Sequence, residues 1–161
     1  MAEDRLGVFY ITMYDPRFDE DSMATIMMGM KGLNGVSSSV YAYAMIPGEV
    51  HLLVRQRESG IAGSVAFFMD RCFGEEELLY NYEAIRSAEA FLAAFRRLAR
   101  LPVMKDLCDR PGEYPYGSWV NDYQGMCSIT VCHTRVVLRR FGFDTLYETV
   151  NAPQTDLLPS S

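Results

Sequence analysis

Side chains in residues 41–55, YAYAMIPGEVHLLVR, repeat with a period of two on both sides of a Pro-Gly step. Tyr41, Tyr43 and Met45 alternate with Ala42, Ala44 and Ile46, and Val50, Leu52 and Val54 alternate with Glu49, His51 and Leu53. Successive side chains of a β-strand point to opposite faces, so this period predicts two strands. Between them, Ile46-Pro47-Gly48-Glu49 has proline where a type II turn wants φ near −60° and glycine where it needs positive φ. Pattern and turn chemistry therefore predict a hairpin. Glu49 and His51 share one face of its second strand, while Val50 and Leu52 point the other way into a core.

The rest of the chain reads as elements around that hairpin. Residues 7–13, GVFYITM, are β-branched and aromatic and stop before the turn-prone Tyr14-Asp15-Pro16, which predicts a first strand. Residues 19–31 predict an amphipathic helix, with Ser22 as cap, Met23, Ile26, Met27 and Met30 at helical spacing, and an end near Gly32-Leu33-Asn34-Gly35. Residues 60–73, with Ile61, Val65, Phe68 and Met69 on one side and Gly74 at the end, predict a second helix packed on the sheet. Residues 78–85 fit either a fourth strand or an extended approach to the next helix. That helix begins at the cap Ser87 and runs to Arg100, with Ala88, Phe91, Phe95 and Leu98 inward and Arg96, Arg97 and Arg100 on the opposite side. Residues 110–117 predict an irregular aromatic connection wrapping the domain. Short helices are expected over 118–123, carrying Trp119, over 130–140 and over 146–150, followed by a disordered tail at 153–161.

Composition narrows the class. A chain of 161 residues that is 49% hydrophobic and 22% charged suits one domain with a sizeable core. The acidic start MAEDRLG does not resemble a signal peptide and no apolar run reaches membrane-spanning length, so a cytoplasmic location and no membrane partner are expected. The cysteines Cys72, Cys108, Cys127 and Cys132 form no CxxC pair and are expected as free thiols. A net charge of −6 argues against general affinity for polyanions, so nucleic-acid binding would have to be local. Within that picture the Glu49 and His51 pair is the first candidate chemistry: a carboxylate and an imidazole on one face suit a shared divalent ion.

Several stretches, in order, resemble the single-tyrosine HUH transposases, especially the REP-associated tyrosine transposase branch. IPGEVHLLV is similar to the family's MPNHVHLLV signature, LARLPVMKDLCDRPGEYPYGSW to its tyrosine-bearing helix, NPV step and YP-x-SS run, and VVLRRFGFDTLYETV to its VL-x-x-FG ending. The resemblance implies an α+β, ferredoxin-like antiparallel sheet with helices on one face and a small C-terminal helical tail. It places the transposase-like domain at 1–125, its helical extension at 126–152 and the tail at 153–161.

The function implied is metal-dependent cleavage and strand transfer of single-stranded or hairpin DNA, with a tyrosine forming a transient phosphotyrosine link. His51 matches the second histidine of the motif, and Glu49 stands at the first. A carboxylate there suits Mg or Mn. Tyr82 in NYEAIR fits the family's nucleophile, with Tyr80 its rival, and Glu83 is the candidate further ligand. Arg96, Arg97 and Arg100 match the basic helix, and Arg55 joins them as a candidate DNA contact. Leu101 replaces the asparagine of the NPV step. A second reading keeps the fold and the DNA affinity without cleavage, and a third reuses the fold for protein contacts. Members of the family act as monomers and as dimers, so a homodimer is open to the chain.

Overall fold

A computed structural model describes residues 7–33, 38–56, 60–75, 77–110 and 113–117. The expected helices over 118–123, 130–140 and 146–150, the cysteines 127 and 132 and the tail lie outside the described residues.

Seven principal elements follow one another: β1 (Gly7–Tyr14), α1 (Met23–Leu33), β2 (Ser38–Ile46), β3 (Glu49–Gln56), α2 (Ile61–Phe73), β4 (Leu79–Ile85) and α3 (Ala88–Met104). The strands form one sheet in the order β2-β3-β1-β4, every neighbouring pair antiparallel. This is the ferredoxin-like α+β arrangement expected. The 78–85 segment resolves as a strand pairing with β1 from Leu79↔Tyr14 to Ile85↔Val8.

The hairpin turn sits at Pro47-Gly48, and Gly48 has φ +83°, the left-handed value that a type II turn requires. The Gly48 N–H donates to the Phe18 carbonyl at 2.8 Å, and its own carbonyl accepts from the Asp15 N–H at 3.1 Å. The turn is thereby tied to the connection leaving β1. That connection begins the first helical segment earlier than α1 itself. Asp19 caps a short 3-10 turn, Glu20–Ser22, by accepting from the Ser22 N–H at 3.0 Å, so the cap is Asp19 and Ser22 falls inside the turn.

Strand parity sorts the sheet into two faces. Phe9, Ile11, Met13, Tyr43, Met45, Val50, Leu52 and Val54 meet α1 and α2 in the main core, with Phe18, Ile26, Met30, Phe68 and Met69. Burying large apolar side chains of this kind stabilises by about 1.5–3 kcal/mol each. The opposite face carries Tyr10, Ala42, Ala44 and Leu53, and α3 lies on it through Phe91, Ala94, Phe95, Leu98 and Ala99. Helices thus cover the first face as expected, and α3 adds a cover to the second.

Two features of α3 differ from expectation. It continues past Arg100 to Met104 with Pro102 inside, and the Lys105 N–H still reaches the Leu101 carbonyl at 3.0 Å. A proline in the last turn withdraws one donor without stopping the helix. Arg96, expected on the solvent side, is buried at 3% exposure. Leu92 and Arg96 extend the buried arc beside the residues that face the sheet, so that arc is wider than Phe91, Phe95 and Leu98 alone suggest.

The aromatic connection wraps the domain as expected. The Tyr114 hydroxyl donates to the Met45 carbonyl at 2.7 Å, and the Tyr116 carbonyl accepts from the Met45 N–H at 2.8 Å. An isolated bridge pairs Gly117 with Ala44 on the outer edge of β2.

Candidate functional site

The face carrying α3 also carries Glu49 and His51. Thr12 lies opposite His51 and Tyr14 opposite Glu49 in the β1–β3 pairing, and Asn81 and Glu83 lie opposite Thr12 and Tyr10 in the β1–β4 pairing. Their side chains therefore share that face. The cluster under α3 gathers residues of β2 and β3, Tyr10 and Val8 of β1 and Ile85 at the end of β4, and Leu79, Asn81 and Glu83 of β4 stay exposed on the same face. The result is a polar strip of sheet with α3 as one wall.

Glu49, His51 and Tyr10 are linked in a row. The Glu49 Oε1 is 2.9 Å from the His51 Nε2, and the His51 Nδ1 is 2.8 Å from the Tyr10 hydroxyl. Burial, the largest influence, pushes the His51 pKa below the ordinary imidazole value against the opposing pull of Glu49, and Arg97 and Lys105 push the same way as burial. Burial likewise raises Tyr10 to about 12. At neutral pH the ring is then uncharged and the phenol protonated. An ionised carboxylate can only accept, so Nε2–H donates to Glu49 and Nδ1 accepts from Tyr10. With the ring neutral, the contact of Glu49 with His51 is a charge-assisted hydrogen bond and not an ion pair.

Arg97 completes the row from α3. Its guanidinium lies 4.6 Å from the centroid of the Tyr10 ring and donates to the Glu83 carboxylate at 3.2 Å. On the far side of the strip the Asn81 amide donates to the Tyr14 hydroxyl at 3.1 Å.

Two ligands about 2.1 Å from a divalent ion and at right angles are about 3 Å apart. The 2.9 Å between the Glu49 and His51 atoms matches the spacing of adjacent ligands. The donor set, one carboxylate oxygen and one imidazole nitrogen, suits Mg or Mn with water and phosphate oxygens in the other positions. Among the described residues no three His, Cys, Asp or Glu side chains converge on one point. Glu83 shares the face but is engaged by Arg97, so the fit is that of a two-ligand cradle.

The tyrosines selected from the sequence are placed elsewhere. Tyr82 is opposite Ile11 in β1 and packs edge-on against Phe9 at 6.0 Å between centroids, and Tyr80 packs against the main core. Both point to the α1/α2 face. The sheet lies between their hydroxyls and the Glu49–His51 pair. The reason is parity: Glu83 and Asn81 take the His51 face, so their neighbours Tyr82 and Tyr80 take the other.

Of the basic candidates, Arg97 reaches the strip, Arg100 is exposed, Arg96 is buried, and Arg55 donates through Nε to the Tyr41 hydroxyl at 2.8 Å. Arg55 shares the His51 face, two pairs along β3. Tyr10 and Thr12 are the functional-face residues that the sequence reading missed. The available signal was their parity in 7–13, where hydroxyl-bearing residues alternate with Phe9, Ile11 and Met13.

No protein-family model and no curated protein matches the sequence. Among solved structures, the fold is similar to that of a REP-associated tyrosine transposase bound to a REP hairpin, with a TM-score of 0.65 and 12% identity over 78% of this chain and 85% of that one. A bacterial tRNA(His) guanylyltransferase (Thg1)-like protein in complex with ATP overlaps more loosely, at a TM-score of 0.40 and 10% identity over 70% of this chain and 63% of that one. The first likeness extends over most of both chains and establishes a transposase-like fold.

Proposed function

We propose that this chain binds single-stranded or hairpin DNA on the strip beside α3, with a divalent cation held between Glu49 and His51, and that it does so without tyrosine-mediated cleavage. The observation that carries the reading is the Glu49–His51 pair, set at ligand spacing with Glu49 partly exposed, His51 buried behind it and Arg97 beside it. The likeness to a transposase bound to a DNA hairpin supports the choice of ligand. The position of Tyr80 and Tyr82 behind the sheet favours binding over strand transfer.

Each residue has a task in this reading. Glu49 and His51 supply two ligands, and a bound cation would neutralise charge on a phosphate oxygen. Arg97 is exposed and already oriented by Tyr10, so it can exchange Glu83 for a phosphate with little reorganisation. The partly exposed ring of Tyr14 offers a face on which a base can stack.

Fluorescence anisotropy with a labelled hairpin oligonucleotide at low ionic strength tests the proposal. Binding is expected, tighter with Mn²⁺ than with EDTA, and Glu49→Ala and His51→Ala should each abolish the Mn²⁺ effect. Arg97→Ala should weaken binding about 5–30-fold, as loss of one charged contact worth about 1–2 kcal/mol predicts. On a denaturing gel no covalent protein–DNA adduct should form with Mn²⁺. Absence of any salt-sensitive binding would sink the DNA reading, and an adduct lost in Tyr82→Phe or Tyr80→Phe would restore the cleaving one.

A further inference from the structure

Tyr10 does more than fill space beside α3. Its ring packs with Leu53, Phe91 and Phe95 in the second core cluster, a place where phenylalanine would serve as well. The hydroxyl needs a partner there because the residue is only 6% exposed. In the strand register Tyr10 is opposite Leu53, so it meets His51 diagonally, with ring centroids 5.6 Å apart and planes at 74°. The hydroxyl reaches Nδ1, the nitrogen turned away from Glu49.

We infer that Tyr10 is a positioning residue for His51: because its hydroxyl can either donate or accept, it holds Nδ1 whether the imidazole presents Nε2–H to Glu49 or a bare Nε2 to a divalent cation. The inference rests on the cation reading above. Without the cation, Nε2–H donates to Glu49 and the Tyr10 O–H donates to Nδ1. To ligate, Nε2 must free its lone pair, so the proton moves from Nε2 to Nδ1, the Tyr10 O–H rotates away from the ring, and Nδ1–H donates to the Tyr10 oxygen. The ring stays neutral in both states and no net proton is released. A partner that could only donate, or only accept, would satisfy one state and oppose the other. Ligating histidines commonly have their second nitrogen held by such a partner, and losing it costs about 10–100-fold in metal affinity.

Tyr10→Phe separates this role from packing, since it keeps the ring and removes the hydroxyl; because that hydroxyl also meets the Arg97 side chain, Arg97→Ala is measured beside it, and only the tyrosine variant should release Nδ1. Two measurements decide. In cation-free wild-type protein, side-chain ¹⁵N NMR should show the His51 proton on Nε2 and a hydrogen-bonded Nδ1, and in Tyr10→Phe the Nδ1 signal should move to its unbonded position. By titration calorimetry, Mn²⁺ affinity should fall about 10–100-fold in the variant, with the circular dichroism spectrum unchanged. A cation-free ring protonated on Nδ1, an Nδ1 signal indifferent to the hydroxyl, or equal Mn²⁺ affinity in the folded variant would each overturn the inference. Wild-type protein that binds no Mn²⁺ yet keeps the hydroxyl-dependent Nδ1 signal overturns the cation reading alone and leaves Tyr10 as the residue that orients the ring.

Discussion

Tyr114 joins two parts of the chain 69 residues apart through one hydroxyl, which donates to the Met45 carbonyl. Burial raises its pKa to about 12, with smaller contributions in the same direction from Tyr116, Cys108 and Glu20. A phenol whose folded pKa lies above its unfolded value of 10 stabilises the fold fully below pH 10, and that stability is lost as pH rises towards 12. A shift of this size is worth on the order of 2 kcal/mol. Thermal melts should therefore weaken between pH 10 and 12, and Tyr114→Phe should be less stable than wild type at neutral pH but lose less over that window. Tyr10, also raised to about 12, keeps part of the alkaline loss in the variant. Single side chains were the least legible part of the sequence. His51 and Glu49 could be found because they lie two residues apart on one strand. The partnership of Tyr10 with His51 spans 41 residues and exists only through the β1–β3 register. Placing Tyr82 required knowing the parity of β4 against β1, which no local pattern supplies.

At the scale of elements, periodicity was enough wherever one face was buried and the other was not. α2, the start of α3 and the turn and far end of the hairpin fall within a residue of their expected limits, while the hairpin's first strand begins three residues earlier, at Ser38. Expectation fell short where burial was two-sided, as at Arg96, because a wide apolar arc hides the inward direction of a basic residue. The α1–α2 contact is similar in kind: Gly29, inside a helix, looks like a weakness in sequence, yet a Cβ there would lie 2.5 Å from the Cys72 Sγ and 3.0 Å from the Phe68 ring. Alanine at this position gains up to about 1 kcal/mol of helix propensity and meets an overpacking cost of about 1–3 kcal/mol. Gly29→Ala should thus be net destabilising in urea denaturation, and adding Cys72→Ala should recover part of the loss. A Gly29→Ala protein more stable than wild type would show that the two helices are not held at glycine distance.

At the scale of the whole molecule, net charge sets how the proposed DNA contact must behave. With a charge of −6 and acidic residues Glu49 and Glu83 on the binding face, few phosphates can be neutralised at once. The slope of log K against log salt should therefore correspond to about one to three phosphate contacts, and Arg97→Ala should reduce it by about one. A slope near that of strongly basic DNA-binding proteins would point to a different surface. No helix among the described residues is long and apolar enough to cross a membrane. Topology was legible in the sequence because strand, helix, hairpin, helix and strand followed one another with short connections, which leaves few ways to build a sheet. The two margins of that sheet are treated unequally. Residues 116 and 117 occupy the outer side of β2 through Met45 and Ala44, whereas β4 has no strand neighbour on its outer side among the described residues. Among the described residues, then, only the β2 margin is covered, and there only along its Ala44–Met45 stretch. A chain stripped of residues 113–117 would uncover that stretch of β2 as a template for strand addition, and self-association there, rather than melting of the helices, would be its first mode of failure.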